Sequence, residues 1–206
     1  MKNYLVVCGR PFSEKRKSKP FTLSEQLRET VQERNQKSQD VLAVPLTLKE
    51  SGEIRAVYTN ADSIFHDIFP ILQAVSPQKF YFSSVIGQLE TPLSSSFRGP
   101  ALDKALENLQ GLKKIKTILY IDGCDGFTEL MNISLRLLTH SMRTWKKNRF
   151  QVLALLMSDV KVKEIAGQVG LSDKAIYKSI DNGGLKIILS LFKELEAKLN
   201  EFISKE

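Results

Sequence analysis

The sequence predicts an α+β fold in which an N-terminal sheet with helices is followed by an all-helical segment. Three observations carry this. Short apolar, β-prone runs alternate with helix-period segments up to Asp122; from Phe127 to Glu206 the strand signals stop and only helix and turn patterns remain. The chain is 206 residues long, about 1.4 times the ~150 residues of a typical domain. It therefore has room for two modest units: an α+β domain over 1–142, including a linking helix at 125–142, and a helical domain over 143–206. The boundary falls at the composition shift between Arg143 and Arg149.

Element by element, Tyr4 to Cys8 is an apolar run closed by Gly9 and reads as a buried strand. Arg10 to Pro20 reads as a loop holding Lys15, Arg16, Lys17 and Lys19. Thr22-Leu-Ser-Glu25 is the pattern of a capping box, opening a helix that runs to about Lys37. Val41–Leu48 and Ile54–Tyr58 flank Glu50-Ser-Gly52 as a hairpin, with Pro45 pointing to an edge or a bulge. Asn60 is placed to cap the next helix, whose apolar positions Ile64, Phe65, Ile68, Ile71 and Leu72 follow the 3.6 period until Pro77 ends it. Phe80–Ile86 is a strand, Gly99–Leu109 a short helix, and Ile115–Ile121 a further strand. The order β-α-β-β-α-β-α-β contains the split βαβ arrangement of a ferredoxin-like antiparallel sheet, with helices on one face.

The most informative stretch is Lys161 to Ile180, which reads as helix-turn-helix. Ile165, Ala166 and Val169 give the first helix an inner face, and Gly170 supplies a turn that a left-handed backbone makes easily. Leu171 is expected to plug the core, Ser172 to cap the second helix, and Ala175, Ile176 and Ile180 to turn inward. Trp145 and the helix around Phe150–Met157 supply support. In a major groove the outward residues are Ser172, Asp173, Lys174, Tyr177 and Lys178. Ser172 and Lys178 suit phosphate oxygens, while Lys174 and Tyr177 reach toward base edges. Asp173 favours the helix dipole and repels phosphate unless it accepts from a cytosine amine. Asn182-Gly183-Gly184 ends this helix. Beyond it, Leu185, Ile188, Phe192, Leu195, Leu199 and Phe202 alternate at spacings of three and four, the seam of a short coiled coil and a candidate homodimer contact through 185–203; the N-terminal domain is the alternative dimer surface.

Composition narrows the class. With 42% hydrophobic and 26% charged residues the chain is neither disordered nor low-complexity. Its net charge of +7 admits nucleic acid, an anionic membrane or an acidic partner without choosing among them. Residues 143–206 carry twelve Lys and Arg against eight Asp and Glu, so the surplus is spread along the chain, and the case for DNA rests on the helical motif. The N-terminal apolar run is too short for a secretory or membrane-spanning segment, giving a cytoplasmic expectation. Cys8 and Cys124 stand apart without metal-ligand spacing and read as reduced structural thiols; His66 and His140 are equally isolated, so no metal or cofactor is expected.

The Cys8-Gly9 strand end, Ser51-Gly-Glu-Ile-Arg55, Arg98-Gly-Pro-Ala-Leu-Asp-Lys-Ala105 and Trp145 ahead of the helical motif occur in the order found in the SatD family, which the chain resembles over nearly its full length. The resemblance implies a nucleotide-cyclase-like α/β domain joined to a C-terminal helix-turn-helix. Where such relatives carry Gly-Asp, this chain has Gly9-Arg10; where they carry Gly-Asp-Glu-Phe-Gln, it has Ser51 to Arg55. Cyclase chemistry needs paired carboxylates to hold Mg²⁺, and Glu53 alone remains. The resemblance therefore implies a degenerate, non-catalytic domain, in which Arg10, Arg55 and Arg98 form a candidate anion site if they converge near the hairpin. The leading expectation is a regulatory protein that binds double-stranded DNA, with a sensing or dimerising α+β domain. A SatD-type protein-interaction adaptor that does not bind DNA is the alternative, and a nucleotide enzyme comes third.

Overall fold

The computed structural model describes residues 2–12, 23–76, 78–90, 93, 94, 96–115 and 117–205. The sheet segment consists of β1 (Tyr4–Phe12), α1 (Glu25–Lys37), β2 (Leu42–Leu48), β3 (Ile54–Tyr58), α2 (Ile64–Val75), β4 (Lys79–Gly87), α3 (Pro100–Ile115) and β5 (Leu119–Asp122). Five helices follow: α4 (Thr128–Met142), α5 (Lys147–Met157), α6 (Val162–Val169), α7 (Asp173–Gly183) and α8 (Leu185–Ile203). The strands lie in the order β2-β3-β1-β4-β5. The first four pair antiparallel, whereas β5 runs parallel to β4 because the α3 crossover returns the chain to the same end of the sheet. The sheet is thus mixed, which corrects the expected antiparallel one.

A second correction concerns its faces. Leu5 and Val7 point into a core shared with α1 and α2, while Val6 and Cys8 point to the other side. There Ala101, Leu102, Ala105, Leu109 and Leu112 of α3, spaced at three and four residues, cover them. Both faces are buried, which is why β1 reads as an unbroken apolar run and not as an alternating one.

Both sheet edges are sealed by an asparagine. On β2, Asn35 Oδ1 accepts from the Leu46 N–H (2.7 Å) and its Nδ2 donates to the Leu46 carbonyl (2.9 Å). On β5, Asn132 of α4 does the same for Ile121, at 2.9 and 2.7 Å. Each carboxamide presents the donor and acceptor of a missing strand, so neither edge offers this pair of groups to another chain. Pro45, exposed on β2 where the register shifts between Val44 and Thr47, blunts that edge further. Asn132→Ala leaves the Ile121 N–H and C=O unpaired in a buried setting and is expected to cost about 2 kcal/mol in urea unfolding. A loss below about 0.5 kcal/mol would mean that water replaces the carboxamide at no penalty.

The C-terminal helices join the core of α1 and α2; the hydrophobic cluster runs without a break across the 142/143 position. Phe192 of α8 stacks on Phe65 of α2 (centroids 4.2 Å apart, 11° between planes) and touches Phe69 at 4.8 Å. At the far end of α8, Asn200 accepts from the Ala61 N–H (2.7 Å) and donates to Asp62 (2.6 Å). The α8 stripe from Leu185 to Phe202 is buried inside this one chain, which corrects its reading as a dimer seam: α2 and the sheet occupy the place a second helix would take.

Smaller differences are local. Ser24, accepting from the Leu27 N–H at 3.2 Å, caps α1, and Glu25 is its first residue; Thr22 lies outside the described residues. Asn60 bonds the Asp62 N–H, in a turn that precedes α2. α3 continues to Ile115, so β5 starts only at Leu119. Lys15, Arg16, Lys17, Lys19 and Pro77 are likewise outside the described residues. Among the described residues no helix is long and apolar enough to cross a membrane.

Candidate nucleic-acid interface

α6 is a short amphipathic helix whose Ile165 and Ala166 are buried. Gly170 follows in the left-handed conformation (φ 70°), its N–H closing on the Ala166 carbonyl, and the Leu171 N–H bonds the same oxygen at 3.0 Å. A side chain with a Cβ is strained at this φ, so glycine is what makes so tight an exit available. Ser172 then caps α7 by accepting from the Ala175 N–H at 3.3 Å. Ile176 and Ile180 face inward, and α5, with Val152 and Leu153 buried, packs against both helices. α7 ends at Gly183, and Gly184 (φ 59°) takes the left-handed cap.

All five residues expected on the outward face are exposed: Ser172, Asp173, Lys174, Tyr177 and Lys178. Lys174, Tyr177 and Lys178 sit at i, i+3 and i+4 and share one side of α7, with the Tyr177 ring 56% exposed. Asp173 and Asp181 flank them, while Lys161 is exposed at the N-cap of α6 and Lys163 is exposed in its first turn. The sequence pattern does not single out these two because they lie at the start of the first helix and not on the one expected to face outward. Leu171 corrects the expectation of a core plug: it is 38% exposed, since the interior is filled by Ile165, Ala166, Ile176 and Ile180 and the turn carries its side chain to the rim.

The three arginines do not converge. Arg10 and Arg55 lie diagonally on one face of the sheet, Arg55 being paired with Cys8. Their charged ends diverge: Arg10 Nη2 donates to the Leu109 carbonyl of α3 (3.0 Å), and Arg55 Nε donates to Glu53 (2.7 Å). Arg98 is exposed at the opposite end of the sheet. Its carbonyl accepts from the Glu90 N–H just past the Gly87 end of β4, whereas Arg10 pairs with Tyr81, a strand offset of about 20 Å. Glu53 also binds Lys49 at 2.8 Å. Burial alone would raise its carboxyl, but Lys49 and Arg55 together hold it below the ordinary range. Burial pushes the Cys8 and Cys124 thiols up to about 12, outweighing Arg55 beside Cys8, which keeps both as inert packing groups. His66 is half-buried and His140 exposed.

No protein-family model, no curated protein and no solved structure matches the chain.

Proposed function

We propose that the chain is a cytoplasmic DNA-binding regulatory protein that lays α7 in the major groove of double-stranded DNA. The observation that carries this is the outward face of α7: a serine cap at its start, then Lys174, Tyr177 and Lys178 together, on a helix whose inner side is fixed by α5 and α6. Ser172 and Lys178 contact phosphates in this reading, and Lys174 and Tyr177 approach base edges, with Asp173 selecting against neighbours that cannot donate to it. The turn through Gly170 supports assignment of α6 and α7 as a helix-turn-helix. The antiparallel order β2-β3-β1-β4 supports the ferredoxin-like reading of the sheet segment, and with it the resemblance to the SatD family. The sheet segment serves as a non-catalytic sensing or self-association unit; the engagement of Glu53 by Lys49 and Arg55 favours this over metal chemistry.

Replacing Lys174 and Lys178 together by alanine is expected to weaken DNA binding about tenfold or more near 0.1 M salt and, through the lost Lys178 phosphate contact, to lower the slope of log K against log salt by about 1. Equal affinity and an unchanged slope would sink the groove model.

One observation favours the adaptor reading. Phe127, Leu130, Ile133 and Leu137 are exposed at spacings of three and four along the outer side of α4, an apolar stripe suited to a protein partner. That reading predicts that the double lysine variant changes nothing.

A further inference from the structure

The exposed stripe of α4 is built to stay on the surface. Leu130 and Leu137 are 62% and 68% exposed, Ile133 lies between them, and Phe127 stands at the rim just before the helix. The inner side is fixed: Met131, Leu135 and Leu138 are buried, and Asn132 holds the edge of β5, so the helix cannot roll to hide its outer face. Phe127 is held by α8, its ring edge-on to Phe202 at 6.1 Å with Lys198 Nζ above it at 4.2 Å. A contiguous apolar surface of this kind marks contact with another molecule.

The charges beside the stripe identify that molecule. Between Thr128 and Met142 the formally charged residues are Glu129 and Arg136, both exposed. They stand two turns apart, so they share one flank of the stripe. Among the described residues neither has an ion-pair partner. A half-turn about an axis that crosses the helix between Asn132 and Ile133 exchanges their heights and keeps their flank. Each Glu129 then meets the other copy's Arg136, Leu130 enters between the other copy's Ile133 and Leu137, and Phe127 meets its Leu137. A parallel alignment instead sets Glu129 and Arg136 against Ser134 and Ser141. Stripe and charges are thus complementary to themselves in the antiparallel sense, which is what a twofold interface requires.

We propose that α4 pairs antiparallel with α4 of a second copy, forming a twofold dimer centred beside Ile133. This pairing takes the stripe from a foreign protein and gives it to the chain itself, and it does not depend on α7 reading DNA. One helix pair makes a small interface, so a Kd on the order of 10 μM is expected.

Sedimentation velocity of the full chain from about 1 to about 200 μM should show monomer giving way to dimer. Leu137→Ser should weaken the dimer about tenfold or more by removing an apolar contact on each side of the axis. Glu129→Arg and Arg136→Glu should each do the same, since two like-charge contacts replace two opposite ones. Mixing these two charge variants should restore association as a heterodimer, in which both contacts again join opposite charges. A natural chain that stays monomeric at the highest concentration, a Leu137→Ser dimer as tight as the natural one, or a mixture no more associated than its components would overturn the proposal.

Discussion

Phe192→Ala is expected to lose about 3–5 kcal/mol of stability and to lower the unfolding midpoint of sheet and helices together. Phe192 is 3% exposed, and its ring lies flat on Phe65 while also touching Phe69. Truncation removes both the transfer energy of a large side chain and the aromatic contacts, and leaves a void that two helices must relax to fill. The cooperativity of the transition is as informative as its midpoint. Phe65 and Phe69 belong to α2, which lies on the sheet, and Phe192 to α8, so the three rings fasten the C-terminal helices to the sheet segment within one core. Trp145 fluorescence and far-ultraviolet circular dichroism should therefore shift in parallel and remain superimposable. Helices that melted first while the sheet persisted would show that 1–142 and 143–206 are separate folding units.

Much of this was readable wherever the signal is local. The hairpin, the Gly170 turn and the Ser172 cap are each set by a few adjacent residues, and the outward face of α7 follows from the 3.6 period. The errors came where the cause is distant. In α8 the three-and-four spacing says which side is apolar but not what covers it; the covering surface is α2, more than a hundred residues earlier. Asn35 and Asn132 look like ordinary polar residues within helices, and only the sheet edges they meet give them a role. For Arg10, Arg55 and Arg98, motif order gave no information on strand register, which puts Arg98 at the far end of the sheet.

Asp67→Asn is expected to gain stability relative to the natural chain as pH rises, by about 2 kcal/mol between pH 4 and pH 7. Asp67 is fully buried on α2, its two carboxyl oxygens accepting from Ser38 Oγ and from the Tyr58 hydroxyl, each at 2.8 Å. Arg34 lies close by because Pro70 has no N–H to give the His66 carbonyl, and Arg34 Nη1 donates to that oxygen at 3.4 Å. Burial pushes the Asp67 carboxyl up from 3.8 to about 6, more than the two hydroxyls and Arg34 lower it. The unfolded chain thus loses this proton near pH 4 and the folded chain near pH 6. In between, the folded state holds a proton that the unfolded state has released, so the contribution is fully present in acid and is lost as pH rises through about 6. His66, lowered by burial and then by Arg34, acts in the opposite sense, since its unfolded form takes up a proton more readily in acid. Glu196, raised to about 8 by burial, acts in the same sense as Asp67. Both remain in the Asp67→Asn protein, so the difference between the two urea-unfolding curves at each pH isolates Asp67. The asparagine oxygen can accept from one hydroxyl while its amide donates to the other, keeping the network bonded without the buried charge. Unfolding curves that run parallel from pH 4 to pH 7 would place the Asp67 carboxyl at its ordinary value and show that burial does not dominate there.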